Sequence, residues 1–218
     1  AGSLAAAGVQ FIHAENSSGE KKKYIVCVDP GHGGTDPGKV GINGQLEKDI
    51  NLAIAKKLKT YLEASDVTVV LTRDKDMGLY SSGDAHKKMA DMRKRCQLIE
   101  EVKPDLVISI HQNSMPDHPS VHGAQVFYNA VSPGGELGMT VQGALNGAVN
   151  AGNEKNARAI DSTIYLMKNV RCPAILIEGG FLSNPAETQL LLTDEYQVKL
   201  AACIAAGLLQ YHTEGAKA

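Results

Sequence analysis

The chain has 218 residues, of which 43% are hydrophobic, so its length suits one domain with a sizeable core. A formal net charge of −2, no tryptophan and only 5% aromatic residues give no reason to expect nucleic acid or an anionic membrane as a partner. No apolar run approaches the roughly 20 residues that a membrane-spanning helix requires.

Residues 1–23 differ in composition from the rest of the chain. They are rich in alanine and then polar, and the stretch LAAAGVQFIHA is typical of the end of a removed signal or anchor segment. We therefore predict either the remnant of such a segment or an ordinary disordered leader. Ala1–Ser3 resemble a cloning remnant.

The first predicted strand, YIVCVD at residues 24–29, is a short apolar run rich in β-branched residues. A glycine-rich loop follows at residues 30–44. Apolar residues then recur every four positions, as in a helix with one buried face: Leu46, Ile50, Ile54 and Leu58.

The remaining elements continue to alternate. Further strands are predicted at residues 67–72, 105–111, 123–129, 164–168 and 174–178. Further helices are predicted at residues 85–102, at 132–159 with an interruption near Gly152, and at 200–211. This alternation predicts one α/β domain over residues 24–212, with a largely parallel sheet covered on both faces and a short tail at 213–218.

The four cysteines lie far apart and form no C-x-x-C pair, which disfavours a zinc site made of cysteines. Free thiols are expected rather than a disulfide framework: Cys27, Cys96, Cys172 and Cys203.

Three predicted strands end in a polar residue after an apolar run, in IVCVDPGH, LVISIH and AILIE. Sites in open α/β sheets form outside the carboxyl ends of the strands, so we expect His32, His111 and Glu178 to converge there. Glu47 lies in the first turn of the first predicted helix. The loop before it is long enough to fold back and place Glu47 near His32.

Two imidazoles and a carboxylate suit a zinc ion, and three protein ligands leave one tetrahedral position open, as in catalytic zinc sites. The predicted ligands are His32, Glu47 and His111. Glu178, which is followed by two glycines, fits the role of a carboxylate that accepts a proton from water. Taken singly, each histidine is more often a structural residue, and Glu47 is an ordinary acid at a helix start. The predicted zinc site therefore depends on these residues occurring together at the ends of neighbouring strands.

Two other enzyme classes find no support. Gly33, Gly38 and Lys39 have the spacing of a phosphate-binding loop, but Val40 stands where the magnesium-binding hydroxyl is required. A serine hydrolase is disfavoured because the chain has no G-x-S-x-G motif.

Four stretches, in chain order, resemble the successive motifs of the zinc-dependent N-acetylmuramoyl-L-alanine amidases, a family that includes bacterial cell-wall autolysins. They are DPGHGGTDPG, GQLEKDINL, SIHQN and ILIEGGFLSNP. The resemblance extends over about residues 24–211. Within the family, GQLEKDINLAIAKKLKTYLE, MRKRCQLI and VHGAQVFYN are most similar to the germination-specific, spore-cortex branch.

The resemblance implies a six-stranded mixed sheet flanked by helices, zinc bound by His32, Glu47 and His111, and Glu178 as the catalytic carboxylate. The implied reaction cleaves the amide between the lactyl group of N-acetylmuramic acid and L-alanine of the peptidoglycan stem peptide. In the spore-cortex branch this reaction leads to muramic-δ-lactam, which is needed for germination. Such a substrate places the protein outside the cytoplasmic membrane, in the cell wall or between the forespore membranes. Asp29 and Asn113 would orient the ligands.

Two other interpretations stay open. In the first, the domain is a conditional peptidoglycan-binding protein, and a sporulation protein partner completes its zinc site by ordering residues 30–44. The basic helix at residues 85–95 is then one docking face. In the second, the protein is a zinc carboxypeptidase on the same substrate, which requires a positive pocket. The arginines available for such a pocket are Arg73, Arg158 and Arg171.

Overall fold

A computed structural model describes residues 23–160 and 163–215, and one six-stranded sheet forms the centre of the molecule. The strands are β1 (Ile25–Pro30), β2 (Thr68–Leu71), β3 (Leu106–Asn113), β4 (Gln125–Tyr128), β5 (Arg158–Ala159) and β6 (Ala174–Phe181). Their order across the sheet is β2-β1-β3-β6-β4-β5. All neighbours pair in parallel except β4 and β6, which are antiparallel. The predicted mostly parallel, mixed sheet is therefore confirmed.

Six helices in the described residues accompany the sheet. They are α1 (Glu47–Glu63), α2 (Lys87–Val102), α3 (Gly134–Ala148), α4 (Tyr165–Asn169), α5 (Pro185–Leu191) and α6 (Asp194–Gly215). None of them is both long enough and apolar enough to cross a membrane. The four cysteines are free thiols, as predicted.

The helices cover both faces of the sheet because successive side chains of a strand point to opposite sides. In β1, Val26 and Val28 belong to the larger apolar core, which α1, α3 and α6 complete. Cys27, between them, belongs to a second core on the opposite face, together with Ile99 of α2 and Leu166 of α4. Burial on both faces explains why the central strands are continuous apolar runs.

One predicted strand is wrong. Residues 165–168 belong to α4 and not to a strand, because Leu166, Met167 and Val170 are the buried positions, a helical spacing that packs one side against the second core. The fifth strand in chain order is instead the two-residue β5, inside the region that was predicted to be helical up to residue 159. Helix α3 ends at Ala148, and a turn with Gly152 at positive φ follows it.

The sequence patterns missed α5 and the first turns of α6, which begins at Asp194 rather than at residue 200. Helix α5 has a clear start signal: the Asn184 side chain accepts a hydrogen bond from the Glu187 N–H, and Pro185 occupies the first turn. The predicted leader, apart from residue 23, and the last three residues of the predicted tail lie outside the described residues.

Candidate metal centre

The carboxyl ends of β1, β3 and β6 lie side by side at one edge of the sheet. In the strand register Pro30 is opposite Ile110, and His111 is opposite Glu178. His32 follows β1 by two residues. The sheet therefore brings the three strand ends together, as the sequence predicted.

His32, Glu47 and His111 come together at this edge. Glu47 lies between the two rings: its Oε2 is 3.2 Å from His32 Nε2, and its Oε1 is 3.0 Å from His111 Nδ1. One ligand atom of each residue lies within 4.8 Å of the other two. The imidazole rings meet edge to face with centroids 5.0 Å apart. Two nitrogen donors and one carboxylate oxygen at this spacing fit a divalent metal ion such as zinc.

The start of α1 fixes Glu47. Its backbone N–H donates to the Lys39 carbonyl at 3.0 Å, and its Oε2 accepts from the Lys39 N–H at 2.7 Å. Its Oε1 accepts from the Gln112 N–H at 3.1 Å and from Asn51 Nδ2 at 3.3 Å. Burial alone would raise the pKa of Glu47, but His111 and His32 outweigh it and hold the pKa far below its usual value. Glu47 is therefore ionised at neutral pH, the form in which a carboxylate binds a metal ion.

Asp36 supports the ring of His32 from the other side. Its Oδ2 lies 3.0 Å from His32 Nδ1, which leaves Nε2 directed at Glu47. Burial would lower the pKa of His32, but the Glu47 and Asp36 carboxylates outweigh it and raise the pKa above its ordinary value. A carboxylate on the second ring nitrogen is the usual arrangement for a metal-binding histidine.

A fully buried arginine, Arg95 of α2, holds the backbone at His32. Its Nη2 donates to the His32 carbonyl at 2.6 Å, and its Nη1 donates to the Pro30 carbonyl at 2.9 Å. Asp29 and Asp91 compensate its charge, at 2.6 Å and 2.7 Å. Burial would raise the pKa of Asp29, but Arg95 and hydrogen bonds from Thr72 and Ser109 lower it to about 2.

Arg73 serves the same loop from another direction. Its guanidinium donates to the carbonyls of Pro30 at 2.9 Å, Gly31 at 3.0 Å and Lys48 at 2.8 Å. Arg73 is 2% exposed, so it is not available to bind the terminal carboxylate of a peptide. One of the three arginines available to the carboxypeptidase interpretation is thus committed to structure.

Two glycines are needed because ligand side chains pass directly over them. A Cβ on Gly31 would lie 2.2 Å from Cε1 of His111, and a Cβ on Gly38 would lie 2.5 Å from Oε2 of Glu47. Gly38 also has φ of +72°, a conformation that favours glycine. The glycine-rich loop therefore gives the ligands room, as well as carrying His32.

Glu178 faces the metal centre from β6. It lines a cavity of about 700 Å³ together with His32 and His111. Its Oε2 is buried and has no hydrogen-bond partner among the described residues. Burial raises the pKa of Glu178 to about 7. A carboxylate with an unused oxygen and a pKa near neutrality can exchange a proton with water or substrate.

Sequence reasoning missed the residues that orient the ligands. Asp36 follows His32 by four residues in the loop, and Asn51 follows Glu47 by one helical turn, so their spacing was a usable signal. Arg95 gives no such signal, because it is 63 residues from His32. Asp29 and Asn113 were predicted to orient the ligands. Asp29 accepts a hydrogen bond from Arg95, the residue that holds the His32 carbonyl, and the Asn113 side chain accepts one from the Ser114 N–H.

Comparison with known proteins decides the family. The model of the N-acetylmuramoyl-L-alanine amidase family matches residues 26–210. The chain belongs to this family. The match includes His32, Glu47, His111 and Glu178, and it confirms the resemblance inferred from the four sequence motifs.

Several members of the family are similar over most of this chain. The germination-specific N-acetylmuramoyl-L-alanine amidase of Bacillus subtilis is 37% identical over 193 residues, which cover 87% of this chain and 80% of that protein. The LytC amidase of the same organism is 31% identical over 86% of this chain, but the match covers only 35% of LytC.

A solved structure is similar over the same region. The CwlD amidase from Clostridioides difficile, determined in complex with the GerS lipoprotein, matches with a TM-score of 0.84 and 35% identity. The match covers 88% of this chain and 100% of that one. The single α/β domain is therefore the fold of known amidases.

Proposed function

We propose that this amidase is zinc-dependent, with His32, Glu47 and His111 as the metal ligands and Glu178 as the catalytic carboxylate. One observation carries the proposal: the three donors lie within 4.8 Å of one another, and Glu178, whose buried Oε2 has no hydrogen-bond partner among the described residues, lines the same cavity as His32 and His111. The donor set suits zinc, and three ligands leave a position for substrate or water.

When bound, zinc would polarise the carbonyl of the amide between the muramic acid lactyl group and L-alanine, and would acidify a water molecule. The Glu178 carboxylate accepts the proton of the attacking water and returns it to the leaving amine of L-alanine. A pKa of about 7 suits both halves of this exchange. Asp36 and Asn51 keep His32 and Glu47 oriented throughout.

Substitution of Glu178 by Gln tests this assignment. The variant keeps the size of the side chain but cannot accept the proton, so we expect amide cleavage to fall by roughly 10²–10⁴-fold or more. Zinc content should stay at the wild-type level. Release of stem peptide from peptidoglycan gives the rate, and elemental analysis of the dialysed protein gives the metal content.

Glu187→Gln is the matched control, because Glu187 is also a buried carboxylate with a raised pKa but accepts from the Gly123 and Phe181 N–H groups away from the cavity. The control should keep both zinc and cleavage. Loss of zinc from the Glu178 variant, or cleavage at the wild-type rate, would contradict the assignment.

We further propose that the substrate is spore-cortex peptidoglycan, processed outside the cytoplasmic membrane on the route to muramic-δ-lactam. The similarity to a germination-specific amidase supports this proposal. Spores that lack this protein should contain no muramic-δ-lactam, and the wild-type gene but not the Glu178→Gln variant should restore it. Muropeptide analysis of the cortex measures the lactam, and a normal content in the deleted strain would contradict the proposal.

A sporulation protein partner that stabilises the metal centre is a second part of the proposal, and the amidase–lipoprotein complex of the C. difficile relative supports it. All three candidate ligands come from this chain, so the partner would strengthen zinc binding rather than supply a ligand. Zinc affinity measured with and without such a lipoprotein tests this, and an unchanged affinity would contradict it.

A further inference from the structure

A short segment, residues 74–80, lies against the loop that carries His32. We call this segment the strap. A Cβ on Gly34 of the loop would lie 2.7 Å from both the Gly78 nitrogen and the Tyr80 hydroxyl oxygen. No added side-chain atom fits between strap and loop, so the position of one constrains the position of the other.

One ion pair holds the peptide group of Gly34 on both sides. The Gly34 N–H donates to Oδ1 of Asp76 in the strap at 2.8 Å, and the Gly34 carbonyl accepts from Lys48 Nζ at 2.9 Å. Lys48 Nζ also donates to Oδ2 of Asp76 at 2.7 Å, which closes the arrangement. We call these three hydrogen bonds the Gly34 clasp. Lys48 is only 8% exposed, so water competes little for its ammonium group.

The Gly34 clasp connects the segments that carry two of the candidate metal ligands. Lys48 follows Glu47 in the first turn of α1. Gly34 lies midway in sequence between His32 and Asp36, the carboxylate that directs the His32 ring. The clasp therefore fixes the loop with one ligand against the helix with the other.

We propose that Lys48 and Asp76 are positioning residues, which raise the metal affinity by holding His32 at the separation from Glu47 that a bound ion requires. The proposal rests on the zinc site proposed above, and neither residue belongs to the cluster of three donors. Without the clasp the loop adopts other positions as well, and only a fraction of the molecules is ready to bind. The measured affinity then falls in proportion to that fraction.

Lys48→Met tests the proposal, because it keeps an unbranched apolar stem but removes the ammonium group. We expect zinc affinity to fall about tenfold, at the lower end of the 10–100-fold that groups supporting a metal ligand contribute. Asp76→Ala should weaken zinc binding about as much. The double variant should be no weaker than the weaker single variant, because either change alone opens the clasp. Competition with a chromophoric chelator measures the affinity, and the absorption spectrum of bound Co²⁺ reports the coordination geometry.

Lys57→Met with Asp194→Ala is the matched control. This ion pair also begins in α1 and has a similar N–O distance of 2.8 Å, but it joins α1 to α6 rather than to the loop. The control should keep zinc affinity within about twofold of the wild type. Lys48→Arg, which can still donate to two acceptors, should recover most of the affinity that Lys48→Met loses.

Three results would overturn the clasp and leave the zinc site standing. They are wild-type zinc affinity in both Lys48→Met and Asp76→Ala, equal weakening in the control, and additive losses in the double variant. A wild-type protein that binds no zinc would instead contradict the zinc site itself, and the clasp with it.

Discussion

His32 has a φ of 64°, a backbone conformation that residues with a side chain rarely adopt. Its carbonyl oxygen accepts a hydrogen bond from Arg95, and the two preceding carbonyls accept from Arg73, so three successive carbonyls of the loop are held by buried arginines. Strain of this kind persists where the surroundings over-determine it. At the scale of the residue, the candidate metal centre thus depends on backbone position as much as on ligand type.

Gly38→Ala should weaken zinc binding by about 10–100-fold, the usual effect of disturbing a group that supports a metal ligand. The added methyl group would approach Oε2 of Glu47 to 2.5 Å and would occupy a backbone position with φ of +72°. The control is Gly147→Ala in α3, where the methyl group meets open space. That variant should keep zinc and unfold at slightly higher denaturant. Equal zinc affinities in the two variants would contradict the role given to Gly38.

Asp29 predicts a dependence of stability on pH. Its pKa is lowered from 3.8 to about 2 in the folded protein, so its ionised form is stabilising above about pH 4. That contribution, about 2 kcal/mol, is lost as the pH falls through 4 towards 2. The free energy of unfolding should therefore differ most between wild type and Asp29→Asn near pH 6, and the difference should narrow towards pH 2. Denaturant unfolding measures it, and a constant difference would show that Asp29 is not ionised.

At the scale of elements, hydrophobic periodicity predicted the long, regular pieces well. Helix α1 has the four-residue spacing of a helix with one buried face. The central strands β1, β3 and β6 are continuous apolar runs because both of their faces are buried. Short apolar runs were ambiguous, and α4 was mistaken for a strand because five residues do not distinguish the two periods. The two-residue β5 has no pattern of its own, since both residues are exposed and only pairing with β4 makes them a strand.

The contact between α3 and α6 provides a test at this scale. Gly207 of α6 lets the helices approach closely, and a Cβ there would lie 2.8 Å from the Cα of Val141 in α3. Gly207→Ala should lower the free energy of unfolding by about 1–3 kcal/mol, as overpacking does elsewhere. Gly143→Ala in α3, where a methyl group meets open space, should instead raise it slightly. Calorimetry compares the two, and an unchanged Gly207 variant would contradict the close packing.

At the scale of the whole molecule, the sheet topology explains why the sequence could predict the four site residues. Three of them follow or lie near the carboxyl ends of parallel strands that are neighbours in the sheet, so the strand ends alone indicate that they meet. Arg95 could not be predicted in the same way. Its position beside His32 depends on how α2 packs across the sheet, which no local pattern of the sequence encodes.

The proposed mechanism requires that one chain form a zinc site from His32, Glu47 and His111. Its most direct test is the zinc stoichiometry of the purified protein, measured by elemental analysis after dialysis against metal-free buffer. We expect one zinc ion per chain, retained in Glu178→Gln and lost in His111→Ala, because removing one of three ligands leaves only two. A wild-type protein that binds no zinc even when zinc is supplied, or a His111→Ala variant that binds it as tightly, would contradict the claim.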